Sequence, residues 1–285
     1  MQSNDKLFAY NLGEIVPLDQ AFLHISDLSV QRGYGIFDFV KVHGNTLLFL
    51  EDYLDRLFES GRLMELEVPL SREELKSIIF KLTEKNALEV SGMKIIMTGG
   101  YSEDSFTPAI PNLLITQQAL HLPGQQKVEK GIKIITHDYV REFPAAKTIN
   151  YSMGIRLIGK IKSNGAEEVL YYRNGVVSEF PRCNFFIVRQ DNTVVTPAEN
   201  VLKGITRKNV LELAGRRYNV EQAAITLEDI AQAKEAFLTS TTKRILPIVQ
   251  VDDQVIGTGK PGEVTLQLLQ DLVALEEQYV ASQVQ

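Results

Sequence analysis

Three turn signals limit what this chain can fold into. His43-Gly44-Asn45, Asn174-Gly175 and Asp191-Asn192 each split a run of strand-forming residues in two, in DFVKVHGNTLLFL, EEVLYYRNGVVSE and NFFIVRQDNTVVTP. Strands joined by loops this short pair antiparallel, as hairpins. Helical patterns lie between them. Leu50, Tyr53, Leu54, Leu57 and Phe58 recur at the spacing of one helix face, with Arg56 off that stripe. SREELKSIIFKLTEKNAL opens on a Ser71 to Glu74 capping box. YSMGIRLIGKIKSNG, ITRKNVLELAGRR and the C-terminal segment also read as helices. The pattern predicts an α+β chain and not a doubly wound parallel sheet.

With 285 residues, 44% of them apolar, the chain can bury two cores. The helix-and-strand pattern lapses in the Pro-Gly and glutamine-rich stretch after NLLITQQALH. This predicts a small N-terminal domain over 1–118, a linker over 119–127 and a larger domain over 128–285. A formal net charge of -6 offers no general attraction to nucleic acid or to an anionic membrane. No apolar run approaches the about 18 residues of a membrane span, and MQSNDKLFAYNLGE has neither a basic leader nor an apolar segment. Cys183 is the single cysteine, and no Cys/His cluster has metal-ligand spacing. A cytoplasmic protein without a metal is expected.

Four segments carry chemistry together, although each has a plainer reading alone. In FPAAKTINY, Lys147 lies among Phe143, Pro144, Ala145, Ala146 and Ile149. Apolar surroundings favour the neutral amine, the form that attacks an aldehyde; a lysine snorkelling from a strand end is the plainer reading. In VVSEFPRCNFFIV, Glu179 closes one strand and Asn184 opens the next. A carboxylate there suits a protonated ring nitrogen, or is simply solvated. In LKGITRKNVLELA, Gly204 precedes the backbone N–H groups of Ile205 and Thr206 at a helix start, where a phosphate can bind or where Thr206 merely caps. FLTSTTKRILP ends a strand in Thr239, Ser240, Thr241 and Thr242, hydroxyls that can donate to a phosphate or pack between strands. Arg56 can add charge-assisted bonds to that phosphate or stand exposed on its helix.

RGYGIFDFVKV, LDRL, KTINY, SEFPRCNFF, LKGITR and FLTSTT follow one another over almost the whole chain. In that order and spacing they resemble the class IV aminotransferases, the pyridoxal-phosphate fold type IV family of branched-chain and D-amino-acid transaminases and aminodeoxychorismate lyase. The resemblance implies two domains with pyridoxal phosphate in the cleft between them. It further implies a homodimer acting on amino acid and keto acid substrates by a ping-pong mechanism. Lys147 corresponds to the catalytic Schiff-base lysine and Glu179 to the ring-nitrogen partner. Arg56, Ile205, Thr206, Ser240 and Thr241 match the phosphate cradle, with Gly204 and Asn184 in the same cofactor-binding set. Tyr151 falls near the position of a tyrosine beside the phenolic oxygen, one residue closer to the lysine than usual. Arg141 is expected to orient Tyr151 or the ring environment.

The chain also departs from the family. Phe180, Pro181 and Arg182 stand where small residues are usual after the glutamate, with Phe180 expected to add bulk beside the cofactor and Arg182 to offer a guanidinium to a carboxylate or to solvent. Gly99 of MTGG occupies the position of the D-amino-acid enzymes' carboxylate-binding arginine, which disfavours that specificity. Asp38 stands where glutamate is common and Phe39 where glycine is common. Phe37, Phe39 and Lys41 share one strand face, which lines a pocket or packs in a core. With Arg182 and Thr242 they form the candidate substrate set. The expectation is transamination of small, aliphatic amino acids. The alternatives are an aminodeoxychorismate lyase-like enzyme and a non-catalytic relative that binds the cofactor.

Overall fold

A computed structural model describes residues 7–283. The chain divides into two compact units: unit 1 is Met1–His121, Ala146–Asn150 and Tyr279–Gln285, and unit 2 is Leu122–Ala145 and Tyr151–Gln278. The change at residues 121 and 122 falls within the segment read as a linker. Ala146–Asn150, which carries Lys147, clusters with unit 1 although it was counted in the second domain.

Unit 1 opens with the hairpin of β1 (Phe8–Asn11) and β2 (Glu14–Pro17), then α1 (Leu28–Arg32). β3 (Gly35–His43) turns back into β4 (Thr46–Leu47), and α2 (Leu50–Leu63) and α3 (Arg72–Asn86) lead to β5 (Val90–Thr98) and β6 (Asn112–Ala119). The six strands form one sheet in the order β2-β1-β6-β5-β3-β4, paired antiparallel throughout. Alternation along β3 and β5 gives the sheet two different faces. Ile36, Val40, Met93, Ile95 and Met97 are fully buried together with Leu54 and Leu57 of α2 and Leu75, Ile79 and Leu82 of α3. Phe37, Phe39 and Ile96 on the other face are half-buried, and Lys94 is exposed. The Ser71 capping box is present, with the Ser71 N–H donating to Glu74 Oε2 at 2.9 Å.

Unit 2 begins with α4 (Gln125–Lys130), which occupies part of the expected linker, then β7 (Ile132–Asp138), α5 (Ser152–Arg156) and α6 (Ile158–Ser163). The single helix expected over 151–165 is broken at Leu157. Gly154 and Gly159 explain the weakness, since each lowers helix propensity by about 1 kcal/mol. There follow β8 (Glu168–Arg173), β9 (Val176–Val177), β10 (Asn184–Val188), β11 (Val194–Thr196), α7 (Ile205–Ala214), β12 (Val220–Gln222) and α8 (Leu227–Gln232). The unit ends with β13 (Glu235–Ser240), β14 (Arg244–Val251), β15 (Gln254–Val255) and most of α9 (Glu263–Gln283). The sheet order is β12-β11-β10-β13-β14-β7-β8-β9, with β15 on β14. The β14–β7, β7–β8 and β11–β12 pairs are parallel. Such pairs come through crossovers and leave no local turn signal, so the hairpin reading missed them.

Both faces of this sheet are covered, and NFFIV of β10 is buried at every position. Phe185, Ile187, Leu238 and Leu246 pack on one side with Ile230 of α8. Phe186 and Phe237 stack on the other, centroids 4.8 Å apart, against Val210 and Leu213 of α7 and Leu268 and Leu272 of α9. The start of α9 is held by Glu235, whose buried carboxylate accepts the N–H groups of Val264 at 3.1 Å and Thr265 at 2.8 Å. A negative charge there complements the helix dipole. Truncating Phe237 to alanine should cost about 3–5 kcal/mol, the range for a buried aromatic whose site cannot collapse, measured as the shift in the urea unfolding transition.

Candidate active site

In unit 1 the lysine is held by its backbone. The Phe37 N–H donates to Lys147 O at 2.9 Å, the Ile149 N–H donates to Gly35 O at 3.0 Å, and Ile36 and Thr148 form an isolated bridge. Residues 147–149 thus lie as a short extra strand on β3. Gly35 permits the approach, because a Cβ there would stand 2.7 Å from Met97 O and 3.1 Å from Ile149 Cδ1. Helix α2 adds a third tether, with Ser60 Oγ accepting the Lys147 N–H at 3.1 Å. The Lys147 amine lies over the Phe37 ring, 4.7 Å from its centroid. The apolar contact is therefore supplied from β3. Phe143, expected to shield the lysine, is 53% exposed.

Arg56 lies one helical turn before Ser60, so both face β3. Its guanidinium grips Asp38 in a fork, Nε to Oδ2 at 2.9 Å and Nη2 to Oδ1 at 2.7 Å. Asp38 is fully buried and also accepts the Phe39 N–H. The pair accounts for a carboxylate at position 38, a role the sequence reading did not assign. Phe39 lies over Gly92, where a Cβ would come within 1.9 Å of the ring. Lys41 is buried, and Phe37 of the candidate substrate face stands beside the lysine. Gly99 is also buried, and a Cβ there would meet Tyr34 at 2.7 Å.

In unit 2 the site is organised by Glu179 and Asn184, both buried. Glu179 Oε1 accepts Arg141 Nε at 2.9 Å, and Oε2 accepts the Leu202 N–H at 2.9 Å with Asn184 Nδ2 at 3.5 Å. Arg141 is anchored in turn on Pro144 O. Asn184 donates to Leu202 O at 2.8 Å and fills the space above Gly204, where a Cβ would stand 2.1 Å from Oδ1. It also lies directly opposite Thr239 in the β10–β13 register. One residue thereby links Glu179 and the approach to α7 through its side chain, and the end of β13 through its backbone.

Gly204 is the N-cap of α7, and the cap makes no side-chain hydrogen bond. Thr206 is the second residue of the helix and does not stand at the cap position. Thr239 Oγ1 is buried without a hydrogen-bond partner among the described residues, and Ser240 Oγ accepts the Lys243 N–H at 3.1 Å. Backbone donors at a helix start, hydroxyls and a buried carboxylate fit the phosphate and ring of the expected cofactor. The sequence reading missed Arg207, buried one residue beyond Thr206. Its bonds go to the neutral acceptors Thr196, Pro197 O and Gln222. Burial lowers its pKa and the charge of Glu179 opposes that shift. A lone arginine in a helix pattern gave no signal of burial.

Tyr151, at the start of α5, lines a cavity of about 440 Å³ with Gly154, Ile155, Pro181 and Arg182. Arg182 is 68% exposed and reaches Glu168 Oε1 at 3.3 Å. Phe180 points elsewhere: it is fully buried in the sheet core against Phe185, so its bulk serves packing and does not crowd a ligand. Thr242 Oγ1 lies 3.5 Å from Ser240 Oγ. Among the described residues no group of acidic, histidine or cysteine side chains could hold a metal ion.

Known proteins resemble the chain over most of its length. The D-alanine aminotransferase of Bacillus licheniformis is 26% identical over 259 residues, 89% of this chain and 91% of that protein. The branched-chain-amino-acid aminotransferase-like protein 2 of Arabidopsis thaliana is 30% identical over 276 residues, 93% of this chain but 49% of its own length. This chain thus spans about half of that relative. Among solved structures, the branched-chain amino acid aminotransferase from Escherichia coli matches with a TM-score of 0.86 at 22% identity, over 95% of this chain and 94% of that one. The fold is that of the fold type IV enzymes. The family described as amino-transferase class IV matches residues 35–251, well over half of the chain, and this protein is a member of it.

Proposed function

We propose that this aminotransferase binds pyridoxal phosphate through Lys147 and exchanges amino groups between small, apolar amino acids and 2-keto acids by a ping-pong mechanism. The observation that carries the reading is the buried Glu179 carboxylate, held by Arg141 and Leu202 and joined through Asn184 to a helix start without a side-chain cap.

When bound, pyridoxal phosphate supplies an aldehyde that condenses with amines and a ring that accepts the electron pair left by a departing α-proton. Lys147 would hold that aldehyde at rest. The Lys147 amine, once released, would be the group that carries the proton from the substrate's α-carbon. Three backbone tethers keep the lysine in reach for that transfer. Ionised, Glu179 only accepts hydrogen bonds, so the carboxylate can take a ring N–H and keep that proton in place. The N–H groups of Ile205 and Thr206, the Ser240 and Thr241 hydroxyls and Arg56 would hold the phosphate.

An apolar substrate is supported by Phe37 beside the lysine. A D-specific site built on an arginine at position 99 is disfavoured, since that position is closed by Tyr34 and Leu28. The reading includes a homodimer in the cytoplasm. Phe22, Ile25, Phe106 and Ile110 of unit 1 are 70 to 83% exposed, apolar surface of the kind a partner subunit covers.

The purified protein should show a visible absorbance band with pyridoxal phosphate, which borohydride fixes onto Lys147. Lys147→Ala should lose the band and several orders of magnitude in turnover; a variant with near-normal activity would overturn the assignment. L-leucine or L-valine should bleach the band. Faster bleaching by D-alanine would refute the argument from Gly99. Sedimentation should give twice the chain mass, and a stable monomer with full activity would exclude the dimer.

A further inference from the structure

Beside the turn that joins β13 to β14 lies a charge cluster without a place in the chemistry above. Glu168, the first residue of β8, is 3% exposed. Its Oε1 receives both the Lys243 amine and the Arg182 guanidinium. A carboxylate withdrawn from water requires such partners, and two cations on one carboxylate leave the cluster net positive. Lys243 is tied at its other end as well. Its backbone N–H donates to Ser240 Oγ at 3.1 Å and to Ser240 O at 3.3 Å, which closes the turn. The ammonium is thus anchored in the floor of the unit while the backbone of the same residue occupies a lone pair of the Ser240 hydroxyl. With that N–H accepted, the hydroxyl hydrogen stays available for donation, to Thr242 Oγ1 at 3.5 Å or to an acceptor bound at the turn.

We propose that Lys243 is a positioning residue: its ion pair with Glu168 locks the 240–243 turn so that Ser240 and Thr241 are preset to receive the cofactor's phosphate. The inference rests on the reading of Ser240 and Thr241 as phosphate ligands. Lys243 does not touch the phosphate in this arrangement; it acts by removing freedom from the turn, which lowers the ordering cost of binding.

The test compares pyridoxal phosphate with pyridoxal, which lacks the phosphate, by absorbance titration of the cofactor-free protein. Lys243→Met should weaken pyridoxal phosphate about tenfold or more, the size expected when a charge-assisted hydrogen bond is lost, and leave pyridoxal unchanged. Lys243→Arg, which keeps the charge, should restore most of the affinity. The double variant Glu168→Gln with Lys243→Met leaves no carboxylate stranded, so it should fold even if the single variant does not, and should show the same phosphate-selective loss. Equal weakening of both ligands would mean a general structural role and overturn the proposal, as would no change in either. Failure of the unaltered protein to bind pyridoxal phosphate at all would overturn the functional reading itself, and this inference with it.

Discussion

A carboxylate can leave water only where donors meet it, and that constraint organises much of the site. Asp38, Glu168 and Glu179 are each at most 4% exposed, and each fixes a different piece of backbone. Asp38 holds the guanidinium of α2 against β3. Glu179 draws in Arg141 and the Leu202 N–H, which sets the loop leading to α7. Glu168 gathers two cations beneath the β13–β14 turn. In each case the side chain that satisfies the charge comes from a segment distant in sequence, so the ion pairs also act as tertiary registers.

The same logic explains what could be read in advance. Lys147, Glu179, Gly204 and the hydroxyls after β13 stand in short segments whose residue types suffice to suggest chemistry, and the hairpin turns announced the antiparallel strands. Partnerships were not legible. Nothing near Asp38 in the sequence points to Arg56, and nothing near Lys147 points to Ser60, because both meetings depend on how α2 lies on β3. Local composition misled at Phe143 and Phe180. An apolar neighbour in sequence was taken as an apolar neighbour in space, yet the first is exposed and the second belongs to the core. The break at Leu157 was hidden for a different reason: the apolar period runs straight through it, and only the two glycines weaken the helix.

Family membership narrows the chemistry further than the substrate. Relatives named for D-alanine and for branched-chain amino acids are about equally similar to this chain. After Glu179, Pro181 packs on Gly154 and Arg182 joins Glu168. Selectivity in such a site is decided by pocket shape and by which polar groups a substrate leaves unpaired.

The contact between Phe39 and Gly92 makes two distant positions a single unit of change. While the phenyl ring lies across the neighbouring strand, position 92 admits no side chain at all, even a methyl. A descendant that shrinks residue 39 becomes free to enlarge residue 92, and one that enlarges residue 92 first must displace the ring. Residues 39 and 92 are therefore coupled: a side chain at 92 and the phenyl ring in its present place exclude each other.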